Sequence, residues 1–573
     1  MHLKMLLFVK RALKEISPTK NFKSLTTNIQ GDILAGITVG IIALPLALAF
    51  GEISQLGPIA GVWGAIVGGI IGGLFGGCMV GISGPTAPKA AQIAAFMSFF
   101  VIGTTNEPDL TAAFSIIFIS GLILVILSLL NVSRFIHYTP YSVIAGFMCG
   151  IGLIVILTQM NAFIGLEVEK NIHDVFNNLG SSLADVNIEA LVVSVPSLLI
   201  LFLWPFLEKN SKYLTKIPSP LVALIIGTTI AHSFKLDIPF IGDKIFNASG
   251  QNIFSFYIPD FSRLKDFFGP ALALAGLAVL DSLLSCKVAD NMIGDRHSSD
   301  RETFGQGMAN MAAGLVGGVT TATATMRTVA NIKFGGKTPL SSIVHGLTLL
   351  AILLGLSSFV AAIPAACLAA ILFKVGIDIM DYRILPVIRK IPKTDLLIFC
   401  VVLFITVYED LMVAIAIGIC IAIIANFKQF KSSLSLSNQY SSKTFAHSNF
   451  SKKDNKFAST NEDLVQIFDI RGPVFFGSVE SLLRAYSALP AHKILLMDIR
   501  KISSLDITGA YALEDLIHQL RKKGISTYVI CTQVKIKTTL KNLNIIESMG
   551  SDRYLNSPNE ALPAIEQELS QFQ

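Results

Sequence analysis

The sequence predicts a polytopic α-helical membrane protein of fourteen spans, arranged as an inverted repeat of seven plus seven, followed by a small cytoplasmic α/β domain. Hydrophobic residues make up 52% of the 573 residues and charged residues only 15%. The mean hydropathy of +0.63 is too high for an ordinary soluble protein. Many apolar runs reach about 17–25 residues, the length of a helix that crosses a bilayer.

Charge and composition divide the chain into four segments. We predict a basic cytoplasmic N-terminal segment at 1–27, a membrane domain at 28–428, a Ser-, Lys- and Asn-rich linker at 429–463, and an α/β domain at 464–573. Lys and Arg lie mainly in segments predicted to face the cytoplasm, so the formal net charge of +6 reflects topology rather than nucleic-acid binding. Because the basic start shows no cleavable signal, we expect a multi-pass protein of the cell's inner (plasma) membrane with both termini in the cytoplasm.

The third predicted span is interrupted. It follows an apolar first span that Pro45 is expected to break and a glycine-rich second span, and Gly84-Pro85-Thr86 opens a helix of only about fifteen residues. A helix that starts inside the membrane leaves its first backbone N–H groups free, and these groups with the positive end of the helix dipole form an anion site. Thr86 would add a hydroxyl group. The alternative is a proline kink in an ordinary span.

The eighth predicted span, Phe267 to Cys286, carries one ionisable residue, Asp281. At about 1.5 Å per residue, Asp281 lies roughly 21 Å along the helix from Phe267, well inside the hydrocarbon region. An unpaired carboxylate there costs at least about 2.5–3.5 kcal/mol. Ser285 places a hydroxyl group one turn further on the same face, so the pair suggests a cation site. The alternative is a structural Asp that is protonated or bonds a neighbouring helix.

The tenth predicted span is interrupted like the third. The run from Thr321 to Arg327 predicts a short extended piece that leads into a second half-helix. Thr325 follows Thr86 by about 239 residues, which is the corresponding place in the second half of the membrane domain. Two interrupted segments at matching places indicate an inverted-repeat transporter whose binding site lies at the membrane midplane.

No part of the sequence indicates catalysis. The seven cysteines are scattered, without zinc spacing or a disulfide framework. Neither a nucleophile–base constellation nor a nucleotide-binding loop is visible. In the C-terminal domain, LVQIFDI, HKILLMDI and STYVICT predict strands, and GAYALEDLIHQLRKKG predicts an amphipathic helix. We therefore expect neither an enzyme nor a resident cofactor.

Four features carry a specific resemblance. They are ISGPTAP at the third span, LDSLLSCKVADNM in the eighth, TATATMRTVANIKFGGKTPLSS at the tenth, and the C-terminal domain. By these motifs the chain resembles the sulfate permease (SulP) or solute carrier 26 family of anion transporters, and within it the cyanobacterial sodium-dependent bicarbonate transporters. The C-terminal domain resembles the sulfate-transporter and anti-sigma-factor-antagonist (STAS) module. Asp506 and Thr508 lie where that module carries an Asp-Ser-Ser/Thr-Gly loop.

The resemblance implies core and gate domains, an anion between the starts of half-helices three and ten, and a sodium ion beside it as the coupling ion. The implied sodium ligands are Asp281, Ser285, Thr325 and backbone carbonyls around Thr323 and Ala324. The predicted anion contacts are Thr86, the backbone N–H groups near Ala324, and Lys89. A hard cation prefers such oxygen ligands, and its charge would neutralise the carboxylate while attracting the anion. The expected function is sodium-coupled bicarbonate uptake (symport) by elevator-like alternating access, in a homodimer embedded in the lipid bilayer.

The sequence departs from the bicarbonate subgroup at three positions. Ser285 replaces a Thr and keeps the hydroxyl group, whereas Thr323 stands in place of a Gly and would either crowd the crossing of the half-helices or add an oxygen. Lys89 stands where the subgroup has an uncharged residue, near the face of Thr86. If its ammonium group reached Asp281, it could supply the charge that sodium otherwise brings, and transport would be sodium-independent or proton-linked. Alternatively, Lys89 faces the gate domain or extends toward water.

Two other functions stay open from the sequence. The first is proton-coupled transport of sulfate or a dicarboxylate, with Asp281 carrying the proton. The second is a membrane-anchored STAS signalling scaffold, in which Asp506 and Thr508 are regulatory and phosphorylation of Thr508 adds a strong local charge. As regulation added to transport, the same loop would bind a STAS-specific regulator.

Overall fold

The computed structural model describes residues 15–569 except for short gaps, which lie at 98, 103–106, 132–139, 168–171, 209–213, 215–216, 218, 243–253, 294, 356–360, 381–383, 409–410, 428, 430–439, 445–463 and 551–552. The chain forms two compact units. The first contains Met1–Ile136, Met148–Met380 and Thr406–Met412, and the second contains His137–Phe147, Asp381–Ile405 and Val413–Gln573.

Ten helices, most of them apolar, are described in the first half of the chain. They are α1 (Thr19–Ser24), α2 (Ile29–Ile53), α3 (Pro58–Phe75), α4 (Ala87–Met97), α5 (Leu110–Leu129), α6 (Tyr141–Thr158), α7 (Met160–Phe163), α8 (Ile172–Ala184), α9 (Ile188–Glu208) and α10 (Ser219–Ser233). Helix α3 contains a π-helical turn at Gly68–Gly72. Strand β1 (Ser83–Gly84) precedes α4, and a short hairpin of β2 (Val101–Ile102) and β3 (Glu107–Pro108) follows it.

The described second half of the membrane domain contains helices and one short strand. Its elements are α11 (Leu264–Ile293), α12 (Ser299–Leu315), β4 (Ala322–Thr323), α13 (Thr325–Lys333), α14 (Pro339–Gly355), α15 (Ala365–Ile379), α16 (Lys393–Tyr408) and α17 (Leu411–Ala425). Among the helices that the structure describes, six are long and apolar enough to cross a membrane.

Both predicted interruptions of the membrane helices are confirmed. Strand β1 leads into the 11-residue helix α4, and strand β4 leads into the 9-residue helix α13. The two strands pair antiparallel, with Ser83 opposite Thr323 and Gly84 opposite Ala322. Four backbone residues therefore join the entrances of the two half-helices in the interior of the first unit.

Two features of the helices are not apparent from the sequence pattern. The predicted break at Pro45 is wrong, because α2 continues through it. Pro45 is buried, and a single missing N–H group is tolerated where neighbouring helices pack around the site. The polar stretch that follows Cys286 is largely helical, because α11 extends to Ile293 and α12 already begins at Ser299. The pattern alone could not show that Glu302, near the start of α12, is buried.

The interior of the first unit is closely packed around the two strands. Buried apolar side chains from α3, α4, α5, α11 and the end of α12 form one cluster, which includes Ile93, Ile117, Phe267, Leu274 and Val319. A Cβ atom on Gly84 in β1 would lie 1.9 Å from Nη1 of Arg327, so a side chain at this position would displace the guanidinium group. The glycine thus lets the Arg327 side chain pass directly beside the strand.

The second unit contains the C-terminal α/β domain. Its five strands, in the order of the sheet, are β5 (Tyr440–Thr444), β6 (Val465–Val474), β7 (Ile494–Leu505), β8 (Ser526–Ile530) and β9 (Tyr554–Leu555). Strand β5 pairs antiparallel with β6, and the other pairs are parallel. The helices of the domain are α18 (Val479–Ser487), α19 (Ile507–Lys522), α20 (Val534–Asn542), α21 (Ile545–Met549) and α22 (Pro558–Leu569). Strand β5 lies within the segment that the sequence predicts as a linker.

Candidate functional site

The paired strands hold the two half-helix entrances together. The Ala324 N–H group donates to the Ile82 carbonyl at 2.9 Å, and the Ile82 N–H group donates to the Thr328 hydroxyl at 3.1 Å. Ala324 is the N-cap residue of α13, and no side chain in the described part of the chain caps this helix. The backbone N–H groups of the next three residues therefore lack intrahelical acceptors and remain for a ligand, whereas that of Ala324 itself is used.

Asp281 faces the entrance of α4. Its carboxylate accepts a hydrogen bond of 2.6 Å from the Thr86 hydroxyl, and Asp281 is 9% exposed. Thr86 immediately precedes α4, and its carbonyl accepts from the Ala90 N–H group. The structure therefore brings together the predicted anion contact on half-helix three and the carboxylate of the eighth span.

Lys89 is fully buried, and its ammonium group donates to the backbone carbonyl of Thr321. Lys89 thus links the first turn of α4 to the segment that enters β4. The hydrogen-bond partner is this carbonyl rather than Asp281, although the ammonium and carboxylate charges are close enough to attract each other. The position of Lys89 excludes the alternative in which its side chain extends to water.

The three remaining predicted cation ligands separate into two groups. The Ser285 and Thr325 hydroxyl oxygens lie 2.7 Å apart and join α11 to the start of α13. The Thr323 hydroxyl instead donates to the Glu302 carboxylate and lies 3.4 Å from the Ser83 hydroxyl oxygen. Thr323 can therefore serve a cation beside Asp281 only through its backbone carbonyl.

The donor types fit a hard monovalent cation better than a transition metal. Among the residues that the structure describes, no group of three or more His, Cys, Asp or Glu side chains is placed to hold a metal ion. A sodium ion at this place would be held by the Asp281 carboxylate, the Ser285 and Thr325 hydroxyl groups and backbone carbonyls. Bound by these oxygens, the sodium ion would partly neutralise the charge of the Asp281 carboxylate beside the predicted anion site.

Arg327, at the third position of α13, is a second buried cation near Asp281. The side chain is 1% exposed, and Nη2 donates to the Pro85 carbonyl at 2.9 Å. Within the described chain, Nε and Nη1 have no hydrogen-bond partner. A buried guanidinium group with free donors attracts an anion, and Lys89 and Arg327 together carry one more charge than Asp281.

The sequence-based prediction missed four polar residues beside the site. Ser282 accepts a hydrogen bond from the Thr323 N–H group at 3.2 Å. The other three are Glu302, Gln306 and Asn310 on α12, and all are buried. Their spacing of four residues places them on one helical face, and this regular spacing was the signal that could have identified them.

The predicted regulatory residues lie in the second unit, at the start of α19. Asp506 is the N-cap residue: it accepts from the Gly509 N–H group at 2.6 Å and from the Phe476 N–H group at 3.1 Å. Burial, and then the nearby Asp395 carboxylate, raise the pKa of Asp506 to about 8. The loop is therefore an N-cap whose charge depends on pH in the physiological range.

Thr508 bonds the membrane part of the same unit. Its hydroxyl oxygen accepts a hydrogen bond of 2.9 Å from the Tyr141 N–H group, the first of α6. The Tyr141 and Tyr511 rings meet edge to face, with centroids 4.7 Å apart. Asp395 at the start of α16 accepts from the Ser142 hydroxyl at 3.2 Å. The STAS-type loop thus caps a membrane helix, so a phosphate on Thr508 would disrupt this contact.

Paired half-helices inside a membrane domain, facing a buried carboxylate and followed by a C-terminal α/β domain, define an anion transporter of the inverted-repeat class. The sequence model of the sulfate permease family matches residues 29–402, and that of the STAS domain matches residues 457–560. The chain belongs to the sulfate permease family. Members of this family are transporters, which confirms the prediction that the chain is not an enzyme.

Several relatives span nearly the whole chain. The bicarbonate transporter BicA of Picosynechococcus sp. is 32% identical over 540 residues, which cover 93% of this chain and 94% of that protein. Sulfate transporter 1.3 of Arabidopsis thaliana is 22% identical over 571 residues, covering 94% of this chain and 85% of that protein.

Two solved structures share the fold. The transmembrane domain of a cyanobacterial bicarbonate transporter BicA superposes with a TM-score of 0.60 at 34% identity, over 68% of this chain and 97% of that one. The overall structure of SLC26A9 gives a TM-score of 0.64 at 18% identity, over 99% of this chain and 95% of that one. The predicted fold class, a membrane transporter domain with a C-terminal STAS domain, is confirmed.

Proposed function

We propose that this protein is a secondary transporter that carries bicarbonate, ahead of sulfate, across the membrane by alternating access. The observation that carries the proposal is the convergence of Thr86, Lys89, Asp281 and Arg327 at the joined entrances of α4 and α13. Two half-helix N-termini and two buried cations supply charge for an oxyanion, and Asp281 limits the excess to one positive charge.

The identity to BicA supports the choice of bicarbonate. That relative is named a bicarbonate transporter and aligns with 93% of this chain. The sulfate transporter named above is less similar but equally extensive, so sulfate is the competing substrate. Elevator-like movement of the half-helices, a homodimeric assembly and a location in the inner membrane with cytoplasmic termini belong to the same proposal.

For the coupling ion we propose sodium, bound by Asp281, Ser285 and Thr325 and by backbone carbonyls near Thr323 and Ala324. The 2.7 Å approach of the Ser285 and Thr325 oxygens supports this choice, because it brings two oxygen ligands together one helical turn along α11 from Asp281. With sodium bound, the site would hold a further positive charge, which also increases its attraction for an anion.

A second candidate coupling is favoured by the buried Lys89. Its ammonium group already lies near Asp281, so the carboxylate does not depend on sodium for a counter-charge. Transport of the same anion would then be sodium-independent, or linked to a proton on Asp281. A proton-linked site would suit sulfate or a dicarboxylate.

Uptake by the full chain reconstituted in liposomes tests these proposals. Radiolabelled bicarbonate and radiolabelled sulfate are supplied separately, each with sodium or with choline outside and each over a range of external pH. Bicarbonate uptake that exceeds sulfate uptake and falls when choline replaces sodium is the expected result. Bicarbonate uptake equal in choline would reject the sodium site, and uptake of sulfate alone, stimulated by acid, would replace the proposal by proton-coupled sulfate transport.

A further inference from the structure

Helix α12 carries three buried polar side chains on one face: Glu302, Gln306 and Asn310 are 2%, 1% and 0% exposed. Each is four residues from the next, so they lie one above another along the helix. We call these three residues the polar stripe. Burying polar side chains costs free energy unless each one forms hydrogen bonds, so the hydrogen-bond partners of these three residues indicate their role.

Glu302 bonds both chain segments that lead into the half-helices. One carboxylate oxygen accepts from the Gly77 N–H group at 2.8 Å and the Cys78 N–H group at 2.9 Å. The other accepts from the Thr323 hydroxyl and from the Gln306 side-chain amide. A single carboxylate therefore connects the end of α3 to strand β4.

Gln306 bonds the crossing of the strands itself. Its amide nitrogen lies 2.6 Å from the Ser83 hydroxyl oxygen and 2.9 Å from the Thr323 hydroxyl oxygen. Ser83 and Thr323 are direct partners across the β1–β4 pair. Gln306 thus bonds one residue in each strand at the same position.

Asn310 bonds the segment that enters β4. Its side-chain oxygen accepts from the Thr320 hydroxyl at 2.5 Å and from the Thr321 N–H group at 2.8 Å. Its side-chain nitrogen donates to the Thr321 carbonyl at 2.9 Å. This carbonyl also accepts from the Lys89 ammonium group, so Asn310 orients the acceptor that holds Lys89.

We propose that the polar stripe is a positioning element for anion transport: it fixes β4 against β1, and thereby the Lys89 ammonium group and the first N–H groups of α13. The inference rests on the proposed function. An apolar α12 face could fill the same space without burying a carboxylate. The stripe instead bonds four residues that lie at or within three positions of a predicted anion or cation contact: Ser83, Thr320, Thr321 and Thr323. Misplacement of these groups by a fraction of an ångström would weaken anion binding before it unfolded the protein.

The test removes one hydroxyl group of the network. T323V deletes the donor to Glu302 at nearly constant shape, and T323S keeps it. The matched control is T303V, because Thr303 is on α12, is 1% exposed, and donates only within its own helix, to the Ser299 carbonyl at 3.0 Å. Uptake by liposomes is measured against the concentration of whichever anion, bicarbonate or sulfate, the wild-type protein carries, and is normalised to reconstituted protein.

We expect T323V to raise KM about tenfold, because a hydrogen bond to a charged group is lost. T323S and T303V should stay within about twofold of the wild type. E302Q should raise KM similarly, and E302Q combined with T323V should cost less than the sum of the two single effects, because both substitutions disrupt the Thr323–Glu302 bond. An unchanged KM in T323V, or equal losses in T323V and T303V, would overturn the proposal.

Amide hydrogen exchange of the purified full chain tests the polar stripe independently of anion transport. If the wild-type protein carries neither anion, the proposed function fails, but the stripe is still tested. T323V should then accelerate exchange of the Gly77 and Cys78 amides relative to T303V, since Glu302 loses a partner that orients it. Equal exchange in the two variants would overturn the positioning role.

Discussion

Replacing Lys89 by Met tests how the buried charges of the site are balanced. The substitution removes the ammonium group while keeping a side chain of similar length. The Thr321 carbonyl keeps the Asn310 donor at 2.9 Å, and Asp281 keeps the Thr86 donor at 2.6 Å. No bonded partner of Lys89 is therefore left unsatisfied, and the main change is the loss of one positive charge.

The expected consequence is tighter binding of sodium. Two unit charges separated by roughly 8–10 Å, at an effective dielectric constant of about 20, repel each other by about 2 kcal/mol. Removing that repulsion corresponds to a change on the order of 30-fold in a binding constant. The sodium concentration that gives half-maximal anion uptake should fall by about tenfold or more in K89M, and anion uptake should become more dependent on sodium.

Sodium titrations of uptake in liposomes measure this shift, with choline keeping the ionic strength constant. K89R keeps the charge and should behave like the wild type. K374M is the matched control, because Lys374 lies in α15 and pairs with Asp378 of the same helix at 2.5 Å. A K89M protein that transports with an unchanged sodium dependence would refute the charge-balance reasoning.

Three further predictions follow from the hydrogen bonds of the site and of the STAS-type loop. T86V removes the 2.6 Å bond to Asp281 and should raise the KM for the anion about tenfold, with T86S close to the wild type. Because the Asp506 pKa of about 8 lies above the usual value near 3.8, the stabilisation by this proton is complete below about pH 4 and is lost as the pH rises through about 8. Thermal unfolding of the full chain should therefore occur at lower temperature at pH 8.5 than at pH 6, with a smaller difference in D506N. T508E should detach the loop from Tyr141, seen as faster exchange of the Tyr141 amide, whereas T508S should not; equal exchange would argue against the cap.

Much of the membrane architecture could be predicted because its signals are local. The length of the apolar runs predicts the spans, and the Gly-Pro start at Gly84 predicts a helix that begins inside the membrane. The apolar first span also predicts a helix, but the continuity of α2 through Pro45 depends on neighbouring helices, which the sequence does not display.

The partners inside the site could not be predicted because they depend on tertiary contacts. Lys89 lies near Thr86 in sequence, yet its acceptor is a carbonyl 232 positions later. Glu302 is surrounded in sequence by polar residues that resemble a loop, and its four donors come from three separate segments. Sequence periodicity identifies a shared face but gives no information about the groups that this face meets.

Thr323 contacts both the residues beside Asp281 and the polar stripe, each through a different group. Its hydroxyl group bonds Glu302 in the polar stripe, while its N–H group bonds Ser282 beside Asp281. The backbone is thus held from the cation side and the side chain from the α12 side. A glycine here would retain the N–H bond to Ser282 and lose the hydroxyl bond to Glu302, so β4 would be less firmly fixed to α12. We therefore expect the effect of Thr323 on transport to come from the position of the strand rather than from an added cation ligand.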